Sequence, residues 1–432
     1  MTQKTVSFHT LGCKLNQAET DALRTAFSEQ GWTVVPFRQA ADVTVINSCT
    51  VTNQADRKTR SAIYQAVKAS PHGKIAVIGC LPQVAADSVS RIEGVDLILG
   101  NRDKFRILEF LDDLPPMSDS PLICIGDEDQ DIYPENIFIS STGNRNRAFI
   151  KIQEGCANYC TFCVIPYARG KPVSRSFTDA MEETRKLVTD HHYKEIVLTG
   201  IDIGAYRDGD HDLLDLIRAL EKIDGLLRIR ISSIEMNTLT DALIDHIAGS
   251  RITAPHFHLS LQAGSDTILK AMNRKYNCRE FAEKVTYIRE KIPMASIGTD
   301  IITGFPGETE SLFLETCRFI ETLKFSYLHI FRFSPKKGTP AAIFKDQVSE
   351  NEKIRRSQIL HKLDRNLRFH YASQFSGKTV RVLWESENEK DAKGFNEYYI
   401  QTITGKHQAK LNEMNDVSIV SVHGDILRGC IL

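Results

Sequence analysis

The segment 154-EGCANYCTFCVIPYARG-170 holds three cysteines, Cys156, Cys160 and Cys163, separated by three and then two residues. No fourth cysteine lies near them in the sequence. A structural zinc site closes with four ligands, and an ordinary iron–sulfur cluster also takes four. The segment therefore predicts a 4Fe–4S cluster held through three of its irons, with the fourth iron open. Zinc with a distant fourth ligand and unrelated thiols at a helix start are the alternatives.

The sequence around these 156–163 cysteines alternates between strands and helices. Between residues 146 and 345, amphipathic helical periods separate six apolar strands, the first of which leads into Cys156. Such alternation predicts a parallel sheet, and six βα units predict a partial (β/α)6 barrel with its site at the carboxyl ends of the strands. The predicted strands are 148–155, 195–201, 227–235, 256–262, 296–305 and 327–334.

Residues 1–112 repeat the alternation on a smaller scale and predict a doubly wound parallel α/β domain. Three N-terminal cysteines, Cys13, Cys49 and Cys80, each end one of its predicted strands. The carboxyl ends of parallel strands form the ligand crevice of an open α/β sheet, so these cysteines are expected to converge. They predict a second cluster with an open iron, and buried thiols of the core are the alternative.

The remaining segments complete the predicted α/β fold class. Residues 113–145 lose periodicity and collect Pro, Asp, Ser and Asn, which predicts a linker with one or two embedded strands. The central barrel is expected to run from 146 to 375 and to end in a charged helix, 349–375. Residues 376–432 alternate like the strands of a small antiparallel β barrel.

Composition sets limits on location and partners. No apolar run approaches the roughly 20 residues that span a bilayer, and the start of the chain lacks the features of a signal peptide. We therefore expect a cytoplasmic protein with no membrane partner, whose ten cysteines are not disulfides. Lys plus Arg number 54 against 55 Asp plus Glu, so any RNA binding must rest on local patches.

The three-cysteine spacing, with Phe162 just before the last cysteine and a partial barrel behind it, resembles the radical S-adenosylmethionine superfamily. Two such cysteine sets, this barrel and a small C-terminal barrel together resemble its methylthiotransferase family over nearly the whole chain. The last domain of that family is an RNA-binding module of the TRAM type. The segments that carry the resemblance are 10-TLGCKLNQAE-19, 47-NSCTVT-52, 78-IGC-80, 154-EGCANYCTFCVIPYARGKPVSR-175, 302-ITGFPGET-309 and 331-FRFSPKKGTPAA-342.

The resemblance implies two 4Fe–4S clusters and S-adenosylmethionine as cofactors. It implies that the 156–163 cysteines hold the cluster whose open iron binds the methionine end of the cofactor and whose electron cleaves it. It implies that the N-terminal cysteines hold the cluster that carries the transferred sulfur. All six cysteines are thus expected to be metal ligands and members of the catalytic machinery. A non-catalytic, metal-bearing RNA-binding protein is the alternative of another class.

The resemblance also implies a substrate and partners. Family members attach a methylthio group to carbon 2 of adenosine 37 beside the tRNA anticodon, and 11-LGCKLN-16 resembles the branch acting on threonylcarbamoyladenosine. The isopentenyladenosine branch and a branch that modifies a ribosomal protein aspartate are the alternatives. The expected partners are the tRNA anticodon loop, an electron donor such as flavodoxin or ferredoxin, and a sulfur source.

Other candidate residues follow predicted strands or the cysteine segment. With Phe162, the expected cofactor-binding residues are Arg175, Gly200, Asp202, Ser260, Gln262 and Gly304. Turn glycines, a glutamine bonded to the barrel and solvated arginines, Arg169 among them, are the alternatives. His256 and His258 are expected to be ordinary barrel histidines. For RNA, the candidates are the C-terminal residues Lys378, Arg381, Phe395, Tyr398, Tyr399, Lys406 and Lys410, with core packing as the alternative for the aromatic ones. The segments 57-RKTR-60, 145-RNR-147 and 336-KK-337 are further candidates for phosphate contacts, with solvated surface charge as the alternative.

Overall fold

The computed structural model describes residues 3–112, 114, 120–126 and 146–432, so most of the predicted linker lies outside the described residues. The chain divides into two compact units. Unit 1 comprises Met1–Gly143, Gln153–Arg175 and Ser334–Ala342, and unit 2 comprises Asn144–Ile152, Ser176–Phe333 and Ile343–Leu432. None of the described helices has both the length and the apolar character needed to cross a bilayer.

Unit 1 is built on a six-stranded parallel sheet with strand order β2-β1-β3-β4-β5-β6. The strands are β1 (Thr5–Thr10), β2 (Thr33–Val35), β3 (Val43–Ser48), β4 (Lys74–Gly79), β5 (Leu97–Leu99) and β6 (Leu122–Cys124). The helices are α1 (Lys14–Glu29), α2 (Asn53–Ala69), α3 (Cys80–Ser90) and α4 (Ile107–Asp112).

Both faces of this sheet are buried. Alternate residues of β4 point into two different apolar clusters, Ala76 and Ile78 into one and Ile75 and Val77 into the other. Helices covering both faces are typical of a doubly wound sheet, so the predicted fold of the N-terminal domain is confirmed. Strand β2 was not predicted, since its three half-buried residues are too few for a periodic signal.

The segment with the 156–163 cysteines also belongs to unit 1. A short antiparallel pair, β8 (Gln153–Glu154) and β9 (Val173–Ser174), closes it at its two ends. Helix α5 (Ile165–Arg169) lies between them. The segment is therefore a closed loop with a helical turn rather than an extended linker.

Unit 2 contains the six strands predicted for the central barrel, with the third divided in two and the first ending at Lys151, four residues before the predicted end. One parallel sheet has the order β13-β10-β7 and the other β14-β15-β16-β17. The strands are β7 (Arg147–Lys151), β10 (Glu195–Thr199), β13 (Arg228–Ile231), β14 (Ser233–Ile234), β15 (His256–Gln262), β16 (Ser296–Thr303) and β17 (Tyr327–Arg332), with a small hairpin of β11 (Arg207–Asp208) and β12 (His211–Asp212).

Helices alternate with these strands and start at side-chain caps. Asp212 and Asn277 each form a capping box at the start of α7 and α10, which satisfies helix N–H groups that would otherwise lack partners. The helices are α6 (Phe177–Thr189), α7 (Leu213–Leu220), α8 (Asp241–Gly249), α9 (Asp266–Ala271), α10 (Cys278–Lys291), α11 (Glu310–Leu323) and α12 (Glu350–Ser373). The predicted α/β barrel architecture is confirmed.

The C-terminal part of unit 2 is a closed five-stranded barrel with strand order β18-β19-β20-β22-β21. Trp384 is fully buried in its core beside Val382 and Leu427. The strands are β18 (Thr379–Glu387), β19 (Asp391–Asn396), β20 (Gln401–Gly405), β21 (Met414–His423) and β22 (Ile426–Ile431). The predicted small barrel is confirmed.

A buried ion cluster joins this small barrel to the start of the central strands. Glu195, the first residue of β10, accepts hydrogen bonds from Arg228 at 2.9 Å and Arg230 at 2.8 Å. Arg228 also donates to the carbonyl of Arg381, and Arg230 to that of Asn396. Burial alone would raise the pKa of Glu195, but the two arginines outweigh it and lower the pKa to about 2. The cluster therefore fixes the small barrel at the amino ends of the strands.

The three C-terminal aromatic residues expected to stack on RNA are half-exposed and make ring contacts within unit 2, and their stacking on RNA stays a prediction. Tyr399 stacks on Phe395 and lies 4.9 Å from the ring of His256 and 5.0 Å from the guanidinium of Arg230. Tyr398 packs on Phe375 instead. These ring contacts all lie within unit 2.

We predict that Glu195→Gln lowers the free energy of unfolding by about 3–5 kcal/mol, because two buried guanidinium groups lose their charge partner. Since the folded pKa is about 2 and the ordinary value 4.5, this stabilisation is present above pH 4.5 and is lost as the pH falls toward 2. Urea unfolding followed by tryptophan fluorescence measures both effects.

Glu182→Gln is the matched control, since Glu182 is half exposed and pairs with Lys186 on the next helical turn. Its free energy of unfolding should stay close to that of the wild type, because exposed ion pairs contribute little. Equal losses in the two variants would contradict a structural role for the Glu195 cluster.

Candidate active site

The N-terminal cysteines lie at the carboxyl ends of neighbouring strands, each close to the start of a helix. Cys13 is the N-cap of α1, Cys80 is the first residue of α3, and Cys49 directly follows β3. A Cβ atom at Gly12 would lie only 2.7 Å from Cβ of Cys49, which shows how closely the two strand ends approach. Burial, followed by the charges of Cys80 and Cys13, raises the pKa of Cys49 to about 12.

Two buried asparagines hold the thiols of this set. The Cys13 thiol donates to Oδ1 of Asn16 at 3.6 Å, and Nδ2 of Asn101 donates to the sulfur of Cys80 at 3.7 Å. Asn16 in turn donates to the carbonyls of Leu11 and Ser48, which lie at two of the strand ends. The amides thus position the sulfur atoms relative to the sheet.

Behind the asparagines lies a buried cluster of four charged side chains. Arg169 donates to Glu19 at 2.9 Å and to Glu154 at 2.5 Å, and Lys104 pairs with Glu19 at 2.7 Å. Arg169 also donates to Oδ1 of Asn16 at 2.8 Å. Arg169, Lys104 and Glu19 are almost fully buried. The two cations balance the two carboxylates, and the cluster reaches Asn16 directly.

Arg169 therefore links the two cysteine sets. It lies on α5, six residues after Cys163, yet its guanidinium contacts Asn16 and Glu19 beside Cys13. Burial alone would lower the pKa of Arg169, but Cys80, Glu19 and Glu154 outweigh burial and raise it well above its usual range. The alternative that Arg169 is a solvated surface side chain is wrong, since it holds two carboxylates, and Arg175, only 3% exposed, is buried as well.

The 156–163 cysteines sit in a tight loop of the same unit. The N–H of Cys156 donates to the carbonyl of Gly170 at 3.0 Å, and that of Cys163 to the carbonyl of Cys160 at 2.9 Å. Gly155 has φ +73°, and a Cβ atom there would lie 1.9 Å from the Lys171 carbonyl. Only glycine fits this position. Cys160 is buried, whereas Cys156, Cys163 and the intervening Phe162 are partly exposed.

Both cysteine sets fit three-thiolate ligation of an iron–sulfur cluster. Each offers three cysteines that form no disulfide within the part of the chain that the structure describes. The helix starts at Cys13 and Cys80 present backbone N–H groups and a partial positive charge, and Asn101 adds a side-chain donor. Hydrogen bonds to the sulfurs are among the features that tune such clusters in proteins.

In unit 2, the expected cofactor-binding residues follow the carboxyl ends of three strands. Gly200 and Asp202 follow β10, and Asp202 accepts a hydrogen bond from Thr238 at 3.0 Å. Ser260 and Gln262 end β15, where Gln262 has φ +72°, a left-handed conformation that non-glycine residues rarely adopt. Backbone strain of this kind clusters at ligand sites.

Gly304 follows β16 and is held by an ion pair. It has φ +75°, and a Cβ atom there would lie 2.3 Å from Cγ of Lys353. Its N–H donates to Glu308 at 2.6 Å, and Arg356 donates to the same carboxylate at 2.8 Å. The loop is therefore rigid, and glycine is required by both its conformation and its space.

Two further groups of unit 2 were missed by sequence reasoning. Arg274 pairs with Glu235 and donates to the Ser260 carbonyl at 2.9 Å. Glu235 is the last residue of the predicted strand 227–235, and its position at a strand end was the available signal.

The second group contains one of the two predicted barrel histidines. His258 and His329 hydrogen-bond the same oxygen of Asp300, at 3.0 and 3.3 Å. Burial alone would raise the pKa of the Asp300 carboxyl, but the two histidines outweigh it and lower the pKa. His256 and His258 both bond the Tyr327 hydroxyl, at 2.8 and 3.1 Å, as expected of ordinary barrel histidines.

Comparison with known families matches two regions of the chain. Residues 5–100 match the Uncharacterized protein family UPF0004, and residues 150–320 match the Radical SAM superfamily. The first region holds the N-terminal cysteines and the second holds the 156–163 cysteines.

Curated relatives cover nearly the whole chain. Threonylcarbamoyladenosine tRNA methylthiotransferase MtaB of Bacillus subtilis (strain 168) is 40% identical over 92% of this chain and 90% of its own. The protein of the same name from Aquifex aeolicus (strain VF5) is 39% identical, over 89% and 93%. The tRNA-2-methylthio-N(6)-dimethylallyladenosine synthase of Thermodesulfovibrio yellowstonii (strain ATCC 51303 / DSM 11347 / YP87) is 31% identical over 100% of both chains.

Solved structures share the fold. The radical S-adenosylmethionine methyltransferase TsrM from Kitasatospora setae has a TM-score of 0.59 and 14% identity, and the match covers 79% of this chain and 77% of that chain. At this identity the likeness concerns the fold alone.

We predict that Arg169→Met lowers the free energy of unfolding by about 3–5 kcal/mol, because Glu19 and Glu154 stay buried with less compensation. Asn16 also loses its donor, so we expect the N-terminal cysteines to bind iron roughly 10–100-fold more weakly. Iron content and visible absorbance of the anaerobically reconstituted protein measure the second effect.

Arg169→Lys keeps the positive charge but loses the planar guanidinium that donates several hydrogen bonds. Its stability and iron content should therefore lie between those of Arg169→Met and the wild type. Arg185→Met is the matched control, since Arg185 is exposed. Normal iron content and stability in Arg169→Met would contradict a positioning role for Arg169.

Proposed function

Since the chain belongs to the methylthiotransferase family of the radical S-adenosylmethionine superfamily, we propose that it attaches a methylthio group to carbon 2 of threonylcarbamoyladenosine 37 in tRNA. Relatives named for threonylcarbamoyladenosine are 32–40% identical and those named for dimethylallyladenosine 31–34%, and both values above 34% belong to the first group. The segment 11-LGCKLN-16 agrees with the first group. The difference in identity supports the choice of substrate.

One observation carries the proposed chemistry: Arg169, which follows the 156–163 cysteines, contacts Asn16 and Glu19 beside Cys13. When bound, the cluster at the 156–163 cysteines supplies the electron that cleaves S-adenosylmethionine, and the cluster at the N-terminal cysteines supplies the sulfur. A reaction that needs both requires the two cysteine sets in a fixed relation. The ion cluster of Arg169, Glu19, Glu154 and Lys104 supports such a relation within unit 1.

The residues of this chain would divide the remaining tasks. Asn16 and Asn101 would orient the thiols of Cys13 and Cys80, and the buried carboxylates and cations would fix the two asparagines. Gln262 and Gly304 would accommodate S-adenosylmethionine, Gln262 through its strained backbone and Gly304 through its missing Cβ atom. The other residues proposed to bind the cofactor are Arg175, Gly200, Asp202, Ser260 and Phe162.

We infer that the reaction takes place in the cytoplasm. Its partners would be an electron donor such as flavodoxin or ferredoxin, and a sulfur source. The chemistry supports both partners, since reductive cleavage consumes an electron and each turnover removes a sulfur atom. The tRNA substrates named for the curated relatives support the location.

The proposal predicts the product of an anaerobic reaction containing reconstituted protein, S-adenosylmethionine, sulfide, a reductant and tRNA. Nucleoside mass spectrometry should find a methylthio group on threonylcarbamoyladenosine. Product only on tRNA bearing isopentenyladenosine would move the protein to the sister substrate. Cleavage of S-adenosylmethionine without product on either tRNA would refute both and favour a protein substrate.

Cys80→Ala tests the division of labour between the clusters. We predict that methylthiolation falls by more than the roughly 10–100-fold that outer partners of a metal site cost, because a ligand is lost. Reductive cleavage of S-adenosylmethionine should continue, since the 156–163 cysteines are intact. Cys124→Ala, in the same domain but on β6, is the matched control and should retain both activities. Loss of cleavage in Cys80→Ala with the first cluster intact would contradict the assignment.

A further inference from the structure

One face of α2 is positively charged, although cationic and acidic residues are nearly equal in number over the whole chain. Its residues form a stripe that we call the α2 stripe: Arg57, Lys58, Arg60, Tyr64 and Lys68, all exposed. Arg57, Tyr64 and Lys68 follow each other at helical spacings of seven and four residues, so they lie nearly in one line. The opposite face, with Thr59, Ala62, Ile63 and Ala66, is buried against the sheet.

The cations of the α2 stripe have no ion-pair partner among the described residues. Within 3–112, 114, 120–126 and 146–432, no carboxylate forms an ion pair with Arg57, Lys58, Arg60 or Lys68. The helix contains a single acidic residue, Asp56, which is turned to the interior. There it accepts hydrogen bonds from Lys336 at 2.6 Å and Thr50 at 2.8 Å. The helix face therefore carries four positive charges and no negative charge.

An exposed aromatic ring lies among these cations. The Tyr64 side chain is 61% exposed and lines a shallow surface depression with Arg57, Arg60 and Lys68. A large ring left open to water gains nothing for the fold, whereas a ring flanked by arginine and lysine is typical of single-stranded nucleic-acid surfaces. Phosphates match the cations, and a base or ribose matches the ring.

The C-terminal barrel, by contrast, offers little free positive charge. Three of its candidate cations are neutralised by nearby carboxylates: Arg381 by Asp416 at 3.0 Å, Lys406 by Glu387 at 3.7 Å and Lys410 by Glu413 at 2.9 Å. Its aromatic candidates, Phe395, Tyr398 and Tyr399, pack inside unit 2. Among the described residues, the α2 stripe combines cations that have no ion-pair partner with an exposed tyrosine ring. The C-terminal candidates named above do not combine the two.

We propose that the α2 stripe binds the tRNA substrate, with its cations on backbone phosphates and Tyr64 stacked on a base or ribose. The proposal rests on the proposed function, which supplies tRNA as the partner. Helix α2 begins four residues after Cys49, and the stripe from Arg57 to Lys68 extends about 16 Å along its axis. An RNA strand lying along the stripe leads toward the strand ends that carry the N-terminal cysteines.

Binding of an anticodon stem–loop RNA bearing threonylcarbamoyladenosine tests the surface. The cluster-loaded triple variant R57Q/R60Q/K68Q should bind at least about tenfold more weakly by fluorescence anisotropy. The slope of log affinity against log salt should fall by about two to three, since each lost phosphate contact removes about 0.7–0.9. Tyr64→Ala should weaken binding roughly tenfold without changing the slope.

The control variant R185Q/K222Q/R251Q removes the same charge from exposed positions of unit 2 and should bind like the wild type. Cleavage of S-adenosylmethionine without RNA should be equal in all variants, which shows that the clusters are intact. Unchanged affinity and slope in R57Q/R60Q/K68Q, with product still formed by the wild type, would overturn the α2 surface and leave the function standing.

The other outcomes separate the two proposals. Weakened RNA binding in the triple variant, with no methylthiolated product even from the wild type, supports the α2 surface and overturns the proposed function. Unchanged RNA affinity with activity lost only when an acidic redox protein is the reductant would make the stripe a docking site for that protein. That result would overturn the RNA proposal, as would a wild type that does not bind the stem–loop.

Discussion

A single buried guanidinium, that of Arg169, joins two parts of the chain that are 150 residues apart. Taking a charge out of water costs several kcal/mol, so Glu19 and Glu154 can be buried only if a cation satisfies both. Arg169 contacts both carboxylates, and Lys104 completes the balance at Glu19. The cysteine-bearing segment and the N-terminal sheet therefore depend on each other. If either part moved away, the other would keep a buried charged side chain without its charge partner.

Unit 2 also contains a buried carboxylate that is compensated by arginine side chains. Glu195 is held between Arg228 and Arg230 at the amino ends of the strands, where a barrel enzyme keeps residues for stability. In unit 1 the corresponding cluster lies beside the carboxyl ends of the strands, next to thiols. Buried ion pairs contribute little net stability against an apolar core of the same shape, but they demand one geometry. One cluster thus fixes a domain junction, and the other fixes two sets of candidate metal ligands.

Much of the fold could be predicted from the sequence, because buried parallel strands are short apolar runs between helical periods. Strand β4, 74-KIAVIG-79, is an example, and all six barrel strands were found in this way. Strand β2 has only three half-buried residues and gave no periodic signal, whereas β6 is a strand embedded in the segment 113–145, as expected. The cysteines were visible because their chemistry is carried by residue type and spacing alone.

The shell around the cysteines could not be predicted in the same way. Glu19, in 17-QAETDAL-23, reads as an exposed residue of an amphipathic helix, and its burial depends on Arg169 and Lys104, which are distant in sequence. Asn101 was not predicted either, although its position after β5 at the same edge of the sheet was an available signal. The packing of Phe395 on Tyr399 could not be predicted, because aromatic residues of a small barrel serve equally well for stacking on RNA and for packing.

The division between buried and exposed charge bears on how a substrate would be chosen. The buried charges are balanced locally, whereas the free cations of the α2 stripe lie on the surface. Contacts to phosphate position a nucleic acid without reading its sequence. Contacts along α2 would therefore fix the position of an RNA but would not distinguish one sequence from another. Discrimination between one modified adenosine and another must then come from groups that touch the base after it has been splayed out of the loop, as enzymes acting on a base require.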